Sequence, residues 1–179
     1  MNIVDWTATR FDVMRERFGK ERFYPFLLLL LVLAGLLPLA MPGLPNGHDL
    51  YYHLSRLHAM DVNFSLGEFP SMINHEALAG YGYATGLFYP DFFLYPAALL
   101  MKCGLGIVAA YKLLIVLCVA AVASGAYFCA RRLSATCFGA LATSLLYTWS
   151  SYFAVDVFVR QAFGEWSTFV FAPWIILGL

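Results

Sequence analysis

Three side chains with chemical potential share one face of a predicted helix. The segment NGHDLYYHLSRLHAMD, residues 46–61, carries Asp49, His53 and Arg56 at positions i, i+4 and i+7. This spacing places all three on the same helix face. A carboxylate there could take a proton from an acceptor hydroxyl, or bind a divalent cation such as Mg or Mn. Arg56, with His53 beside it, could hold the phosphate of a substrate through charge-assisted hydrogen bonds.

Each of these residues also has a purely structural interpretation. Asp49 follows Asn46-Gly47 at the start of the helical pattern, where an aspartate commonly serves as a helix N-cap. His53 could act only as a hydrogen-bonding residue near a membrane interface. A zinc site is disfavoured, because the sequence has no HExxH motif and because His48 and His53 do not share a helix face.

A second polar cluster lies much later in the chain. The stretch DVFVRQAFGEW carries Arg160 and Glu165 between two apolar runs. Charges at the edge of a membrane cost free energy unless they are paired, solvated or used. Arg160 is therefore a second candidate for holding a phosphate group, with Glu165 beside it in the substrate site. The alternative is an ordinary ion pair between the two residues.

Aromatic side chains are concentrated between these clusters. Tyr81 and Tyr83 lie in the stretch AGYGYATGLFYPDFF, and such rings can pack on the faces of sugars. The alternative is a belt of aromatic residues at the level of the lipid headgroups.

The composition predicts a membrane protein. Of the 179 residues, 61% are hydrophobic and 12% are charged, and the mean hydropathy is +0.72. Soluble domains carry about 25% charged residues. The net charge of zero gives no sign of nucleic-acid binding. We interpret the four cysteines, which form no CxxC pair, as small apolar side chains.

Hydropathy and charge together predict an all-α integral membrane protein with about four spans and additional interfacial helices. Segment 1–22 contains five basic residues and is predicted to be a cytoplasmic amphipathic segment, with the N-terminus in the cytoplasm. A cleaved signal peptide is the rival interpretation, but the basic region is long and PLAMPG is a poor cleavage site. The membrane domain covers 23–179, and its predicted spans are about 23–40, 109–130, 135–152 and 166–179.

Residues 87–101 are predicted to form an interfacial helix at the outer surface and not to cross the bilayer. The segment is short, contains two prolines, and carries Asp91, which is costly in hydrocarbon. If it crossed, the pair Arg131-Arg132 would emerge outside, against the positive-inside rule. The outer loop then covers 41–108, on the same side of the membrane as the second polar cluster.

The order of the motifs resembles a family of bacterial polytopic membrane proteins. The motifs GHDLYYHLSRL, GEFP, GYGYATGLFYPDFFLYP, AYKLL, RRL and VRQAFGE cover nearly all of 44–179 in that order. The family carries the label 6-pyruvoyl-tetrahydropterin synthase-related and is close to the YfhO-like proteins. It is similar in turn to the polytopic GT-C glycosyltransferases. The resemblance implies the N-terminal part of a GT-C-like helical bundle, so the chain is expected to be a fragment of a longer protein.

The resemblance also implies a reaction and roles for particular residues. GT-C enzymes use polyprenyl-phosphate sugars and keep an essential acidic residue in the first outer loop, which Asp49 matches by position. Arg160 and Glu165 match an Arg-x-x-x-x-Glu stretch of the family that has no assigned role. The implied reaction transfers sugar to a cell-envelope acceptor at the outer face of the bacterial cytoplasmic membrane. Pterin synthesis is not predicted, because the sequence lacks the histidine ligands and soluble core of the zinc-dependent enzymes of that name.

Two other functions remain open at this point. The chain could be a non-catalytic accessory or scaffold protein of the membrane. It could also be a transporter, which would have polar residues or broken helices near the middle of the bilayer. The predicted spans 23–40 and 109–130 carry no charge at mid-span, which disfavours transport.

Overall fold

The computed structural model describes residues 3–178, with side chains described for Glu16, Gly19 and residues 21–178. The chain is all-helical over this range, which confirms the predicted all-α class. The β-type pairing found among the described residues is an isolated bridge between Asn74 and Tyr83. The prediction of an amphipathic segment over 1–22 depends mostly on side chains that lie outside the described residues.

The helices follow one another through short connections, except for the longer segments before and after α2. In chain order they are α1 (Ile3–Gly35), α2 (Leu50–Ser65), α3 (Thr85–Phe88), α4 (Leu94–Lys102), α5 (Ile107–Arg132), α6 (Cys137–Thr148), α7 (Ser151–Val155), α8 (Phe163–Trp166) and α9 (Ala172–Gly178). Short 3-10 segments cover Leu37–Ala40, Leu78–Gly80 and Ser167–Val170, and a π-helical turn covers Asp156–Arg160.

Helix α5 is the central element of the fold. It contacts α1, α2, α4, α6 and α9, and many of its residues are fully buried. The hydroxyl of Ser144 in α6 donates a 2.7 Å hydrogen bond to the carbonyl of Ala123 in α5, which satisfies a polar group inside this packing. By length and composition, α5 is the one helix in the described part of the chain that could cross a membrane.

The other three predicted spans coincide with helices that do not meet the same requirements. A helix needs about 20 apolar residues to cross the hydrocarbon core. Helix α1 ends at Gly35, soon after the charged residues Lys20, Glu21 and Arg22. Helix α6 has 12 residues, and α9 has 7. Membrane crossing by these three segments stays a prediction.

A glycine allows α1 to pack against the end of α6. A Cβ atom at Gly35 would lie 2.2 Å from the indole ring of Trp149, the C-cap residue of α6. Real Cβ atoms do not approach other atoms so closely, so any larger residue at position 35 would displace the ring. Gly35 therefore fixes how closely α1 can approach the bundle.

The segment predicted as an interfacial helix is divided in two. Helix α3 ends at Phe88, Tyr89 is extended before Pro90, and α4 begins at Leu94. Proline disfavours the helical conformation of the residue that precedes it, which explains the break. Helix α4 has nine residues and is about 14 Å long, about half the thickness of the hydrocarbon core.

Candidate functional site

Backbone contacts join the two polar clusters, which are far apart in the sequence. The amide of Asp49, just before α2, donates a 3.0 Å hydrogen bond to the carbonyl of Arg160. A Cβ atom at Gly47 would lie 2.2 Å from Cγ of Gln161. Only glycine fits against Gln161 at this distance, so the residue type at position 47 allows the two segments to meet.

An open cleft lies where these segments meet. Its walls come from the start of α2, the break between α3 and α4, and the start of α8, and its volume is about 260 Å³. The lining side chains that can act on a ligand are two carboxylates, one imidazole and two phenols, from Asp49, Glu165, His53, Tyr52 and Tyr89. The cleft therefore combines hydrogen-bond acceptors with aromatic surface.

Asp49 occupies the N-cap position of α2, but its side chain does not cap the helix. Its backbone carbonyl accepts a 3.1 Å hydrogen bond from the amide of His53, whereas its carboxylate makes no capping hydrogen bond. The residue is exposed and lines the cleft. Helix capping therefore does not account for a carboxylate at this position.

Arg56 lies behind the cleft and is held on several sides. Its side chain is 2% exposed and forms an ion pair with Asp91, whose side chain is 10% exposed. The guanidinium also donates to the carbonyl of Pro90 at 3.0 Å and to Nδ1 of His53 at 3.2 Å. Its central carbon lies 5.2 Å from the ring centroid of Tyr89. Arg56 consequently supports the residues of the cleft but does not line it.

Burial shifts the pKa values of two groups that contact Arg56. Burial, with a smaller contribution from the positive charge of Arg56, lowers the pKa of His53 to about 4. Burial also raises the pKa of Asp91, although its hydrogen bond with Arg56 acts in the opposite direction. His53 is therefore neutral at pH 7.

Arg160 and Glu165 form a bidentate ion pair beside the cleft. Nη2 and Nη1 of Arg160 donate to the two carboxylate oxygens of Glu165 at 2.6 and 2.8 Å, and Nη1 also donates to buried Asp156 at 2.6 Å. The hydroxyl of Tyr152 donates to Glu165 as well. The hydrogen bond from Arg160 lowers the pKa of Glu165 to about 2, while burial raises the pKa of Asp156. The ion pair that the sequence analysis gave as the alternative for Arg160 and Glu165 is therefore present in the structure. Glu165 also lines the cleft.

A strained turn sets the position of this ion pair. Gln161 follows the π-helical turn with φ of 57°, a left-handed conformation that costs a residue other than glycine about 1–3 kcal/mol. It is buried, and its amide donates to the carbonyl of Val157 at 2.5 Å. The amide of Ala162 then donates to the carbonyl of Asp156 at 3.1 Å, which closes the turn. Nothing in the sequence marked Gln161 as part of the site.

The tyrosines chosen from the sequence lie elsewhere. Tyr81 is 92% exposed beside a 3-10 segment, and Tyr83 stacks on Phe88, so neither lines the cleft. Tyr52 and Tyr89 occupy that position, with ring centroids 5.2 Å apart. The signal for Tyr52 was its place three residues after Asp49, which puts it on the same helix face.

The role of Asp91 as the partner of Arg56 was also missed in the sequence. Asp91 is an isolated acid in an apolar stretch, and Arg56 is the one arginine or lysine in 41–86. A poorly solvated carboxylate needs a cation nearby, so these two facts already pointed to an ion pair.

Metal binding gains no support from the described residues. No group of three or more His, Cys, Asp or Glu side chains there could hold a metal ion. His48 is exposed and does not line the cleft beside Asp49. A divalent cation at Asp49 would have to take most of its ligands from water or from substrate.

Comparison with known proteins identifies no relative. No protein-family model, curated protein or solved structure matches the chain. Membership of the family suggested by the motifs stays a prediction, and function has to be inferred from the geometry of the cleft.

The neutral, buried His53 predicts sensitivity to acid. Its pKa is about 4 in the folded protein and about 6.5 in the unfolded chain, so the unfolded chain binds a proton first as the pH falls. The contribution of His53 to stability is therefore complete above pH 6.5 and lost progressively between pH 6.5 and 4. We expect the free energy of unfolding to fall by about 3 kcal/mol from this residue alone. Unfolding in detergent micelles between pH 4 and 7.5 should show this loss in the wild type and not in His53→Gln; identical pH dependence would contradict it.

Proposed function

We propose that the protein is a multi-pass membrane glycosyltransferase of the GT-C type, acting at the outer face of the bacterial cytoplasmic membrane. It transfers a sugar from a polyprenyl-phosphate donor to a hydroxyl group of a cell-envelope acceptor. The order of the sequence motifs supports the family. The observation that carries the proposal is the Asp49 carboxylate, which is exposed in a cleft with aromatic walls and is not used to cap its helix.

Asp49 acts as the general base in this reaction. Its carboxylate takes the proton of the acceptor hydroxyl as the hydroxyl oxygen bonds to the anomeric carbon of the donor sugar. The bond between that carbon and the phosphate oxygen breaks, and polyprenyl phosphate leaves with the electron pair. A positioned base of this kind accelerates transfer by roughly 10²–10⁴-fold.

Tyr52 and Tyr89 provide the surface against which a sugar ring packs. Their rings meet edge to face, and the guanidinium of Arg56 lies against both of them at 5.8 and 5.2 Å. Held in this way, the rings lose little freedom when a ligand binds. The role expected of Tyr81 and Tyr83 is assigned here to the tyrosines that line the cleft.

The donor phosphate is assigned to Arg160 and not to Arg56. Arg56 is buried and paired with Asp91, so binding a phosphate would require breaking that ion pair. The side chain of Arg160 is 36% exposed beside the cleft. It can contact an anionic group while it keeps its bonds to Asp156 and Glu165.

Membrane integration is supported by apolar surface that the fold leaves uncovered. Phe26, Leu117 and Leu146 are 59%, 52% and 76% exposed, and helix α5 is long enough to cross a bilayer. Large exposed apolar patches are uncommon on soluble monomers. In the proposed topology the N-terminus is cytoplasmic, four segments cross the membrane, and the cleft lies outside.

Cysteine labelling tests this topology. In a cysteine-free background, a single cysteine replaces either Leu66, which lies in the proposed outer loop, or Arg132, which lies at the cytoplasmic end of α5. An impermeant thiol reagent should label position 66 in intact cells, and position 132 only after the cells are lysed. Labelling of position 132 in intact cells would place the cleft on the other side of the membrane and overturn the proposed topology.

A transfer assay tests the function itself. Membranes from a strain that lacks the gene and from the complemented strain would receive polyprenyl-phosphate donors that carry radiolabelled sugar. We expect complementation to restore incorporation of label into the envelope fraction for at least one donor. Equal incorporation by both membranes with every donor would leave a non-catalytic role as the better interpretation.

A further inference from the structure

We propose that His53 is a fixed hydrogen-bond donor to the acceptor hydroxyl, and that Arg56 is the positioning residue that keeps it a donor. The identity of this ligand rests on the proposed function. The hydrogen bonds that hold the imidazole are seen in the structure and do not depend on that proposal.

The contact between Arg56 and His53 determines which ring nitrogen carries the proton. A guanidinium has only donors, so the 3.2 Å contact between Nη1 of Arg56 and Nδ1 of His53 requires Nδ1 to accept. The proton of the neutral ring is then on Nε2. The ring is also held by Phe163, whose centroid lies 5.3 Å from that of the imidazole.

Arg56 is itself held in place from helix α4. It is paired with Asp91 and bound to the carbonyl of Pro90, both in the break before that helix. The carbonyl of Asp91 accepts the amide of Leu94, the first residue of α4, at 2.8 Å. Contacts therefore run without interruption from the start of α4, through Asp91 and Arg56, to the imidazole of His53.

The Nε2 side of the imidazole is available to a ligand. His53 lines the cleft, and Nε2 has no hydrogen-bond partner among the described residues. Because Nε2 has no partner and is not fully buried, it is open to the cleft. A donor in this position suits a ligand oxygen with a free lone pair.

Asp49 lies one helical turn before His53, on the same face of α2 and in the same cleft. A hydroxyl group has one proton to donate and two lone pairs to accept with. One hydroxyl can therefore accept from Nε2–H of His53 while it donates its proton to Asp49. His53 thus orients the hydroxyl so that its proton points at the base.

Nitrogen NMR of the full chain in detergent micelles tests the positioning role without substrate. With ¹⁵N-labelled histidine at pH 7.5, we expect the His53 signals of an unprotonated Nδ1 and a protonated Nε2, assigned by their loss in His53→Gln. The paired variant Arg56→Leu/Asp91→Leu removes both buried charges together and should show a mixture of the two tautomers. A proton on Nδ1 in the wild type, or an unchanged spectrum in the paired variant, would overturn the inference.

Transfer by variants of His53 tests the donor role. The amide nitrogen of His53→Gln can replace Nε2–H as a donor, whereas His53→Leu has no donor. We expect transfer by the leucine variant to be about tenfold lower than by the glutamine variant, the effect of one lost hydrogen bond. Equal transfer by the two would refute the donor role. A proton on Nδ1 in the wild type would remove both the donor role and the positioning role, whereas an unchanged spectrum in the paired variant would remove the positioning role of Arg56. If the wild type transfers no sugar, the proposed function is lost.

Discussion

Replacing Asp49 with asparagine should slow sugar transfer by roughly 10²–10⁴-fold while the protein stays folded. Asparagine is nearly isosteric with aspartate and is equally good at the N-cap position, so any structural role should be preserved. It cannot accept a proton as a base at neutral pH. Because the Asp49 carboxylate makes no capping bond, the substitution should change the free energy of unfolding by only a few tenths of a kcal/mol. The measurement is the rate of transfer in membranes, normalised to the amount of folded protein.

Asp61 offers a matched control on the same helix. It is also an aspartate of α2, but it pairs with Lys102 at 2.8 Å and does not line the cleft. Asp61→Asn makes the same chemical change, and the loss of a partly exposed ion pair should cost at most about 1 kcal/mol. Transfer by Asp61→Asn should therefore stay near the wild-type rate. Comparable rates for the Asp49 and Asp61 variants would show that Asp49 is not the base.

The fold could be predicted from the sequence only where the chemistry is local. Apolar runs and basic flanks identified the helical class, and the run that became α5 was long and free of charge at its centre. Helix ends were harder to predict. The end of α1 lies at Gly35, where Trp149 from a distant part of the chain packs against the glycine. Such a contact between residues more than 100 positions apart leaves no periodic signal in the sequence.

In the candidate site, too, the local features could be predicted from the sequence, and the contacts between distant segments could not. The i, i+4 and i+7 spacing predicted one shared helix face for Asp49, His53 and Arg56, and the structure places Asp49 and His53 in the same cleft. The spacing could not show that Arg56 turns away from the cleft, because that depends on Asp91 from a different segment. The meeting of the two polar clusters depends on Gly47 and Gln161, a close approach that only three-dimensional packing reveals.

The strained turn at Gln161 supports the assignment of a function to this region. A left-handed residue with its amide oxygen buried and unpaired lowers the stability of the fold. The turn also brings the carbonyl of Arg160 to the amide of Asp49, and places Glu165 in the cleft. We infer that the cost of this conformation is retained because it assembles the cleft, since strained backbone is commonly found at functional sites.

The ion pair between Arg56 and Asp91 should be the point near the cleft that is most sensitive to substitution. Arg56→Leu leaves the poorly exposed Asp91 carboxylate without its cation, and Asp91→Leu leaves a buried guanidinium charge. We expect each single substitution to lower the free energy of unfolding by about 3–5 kcal/mol. The double variant removes both charges together and should lie close to the wild type, because an apolar pair can replace a buried ion pair at little cost. Thermal and denaturant unfolding in detergent micelles measures the wild type, the two single variants and the double variant, which together form a double-mutant cycle.

The pH dependence of these unfolding free energies shows whether the unpaired Asp91 carboxylate causes the loss of stability in Arg56→Leu. Burial already raises the pKa of Asp91, and Arg56 is the group that opposes this shift, so Arg56→Leu should raise that pKa further. A carboxyl group whose folded pKa is raised contributes most below its unfolded pKa of about 3.8, and this stability is lost as the pH rises through the folded pKa. The difference in the free energy of unfolding between Arg56→Leu and the double variant should therefore be large at pH 7 and small at pH 4.

The partly exposed pair Lys102 and Asp61 is the control, with the free energy of unfolding of each leucine variant expected within about 1 kcal/mol of the wild type. Additive losses in the cycle, with a gap that does not change with pH, would mean that Arg56 and Asp91 stabilise the fold through their apolar contacts and not through their charges.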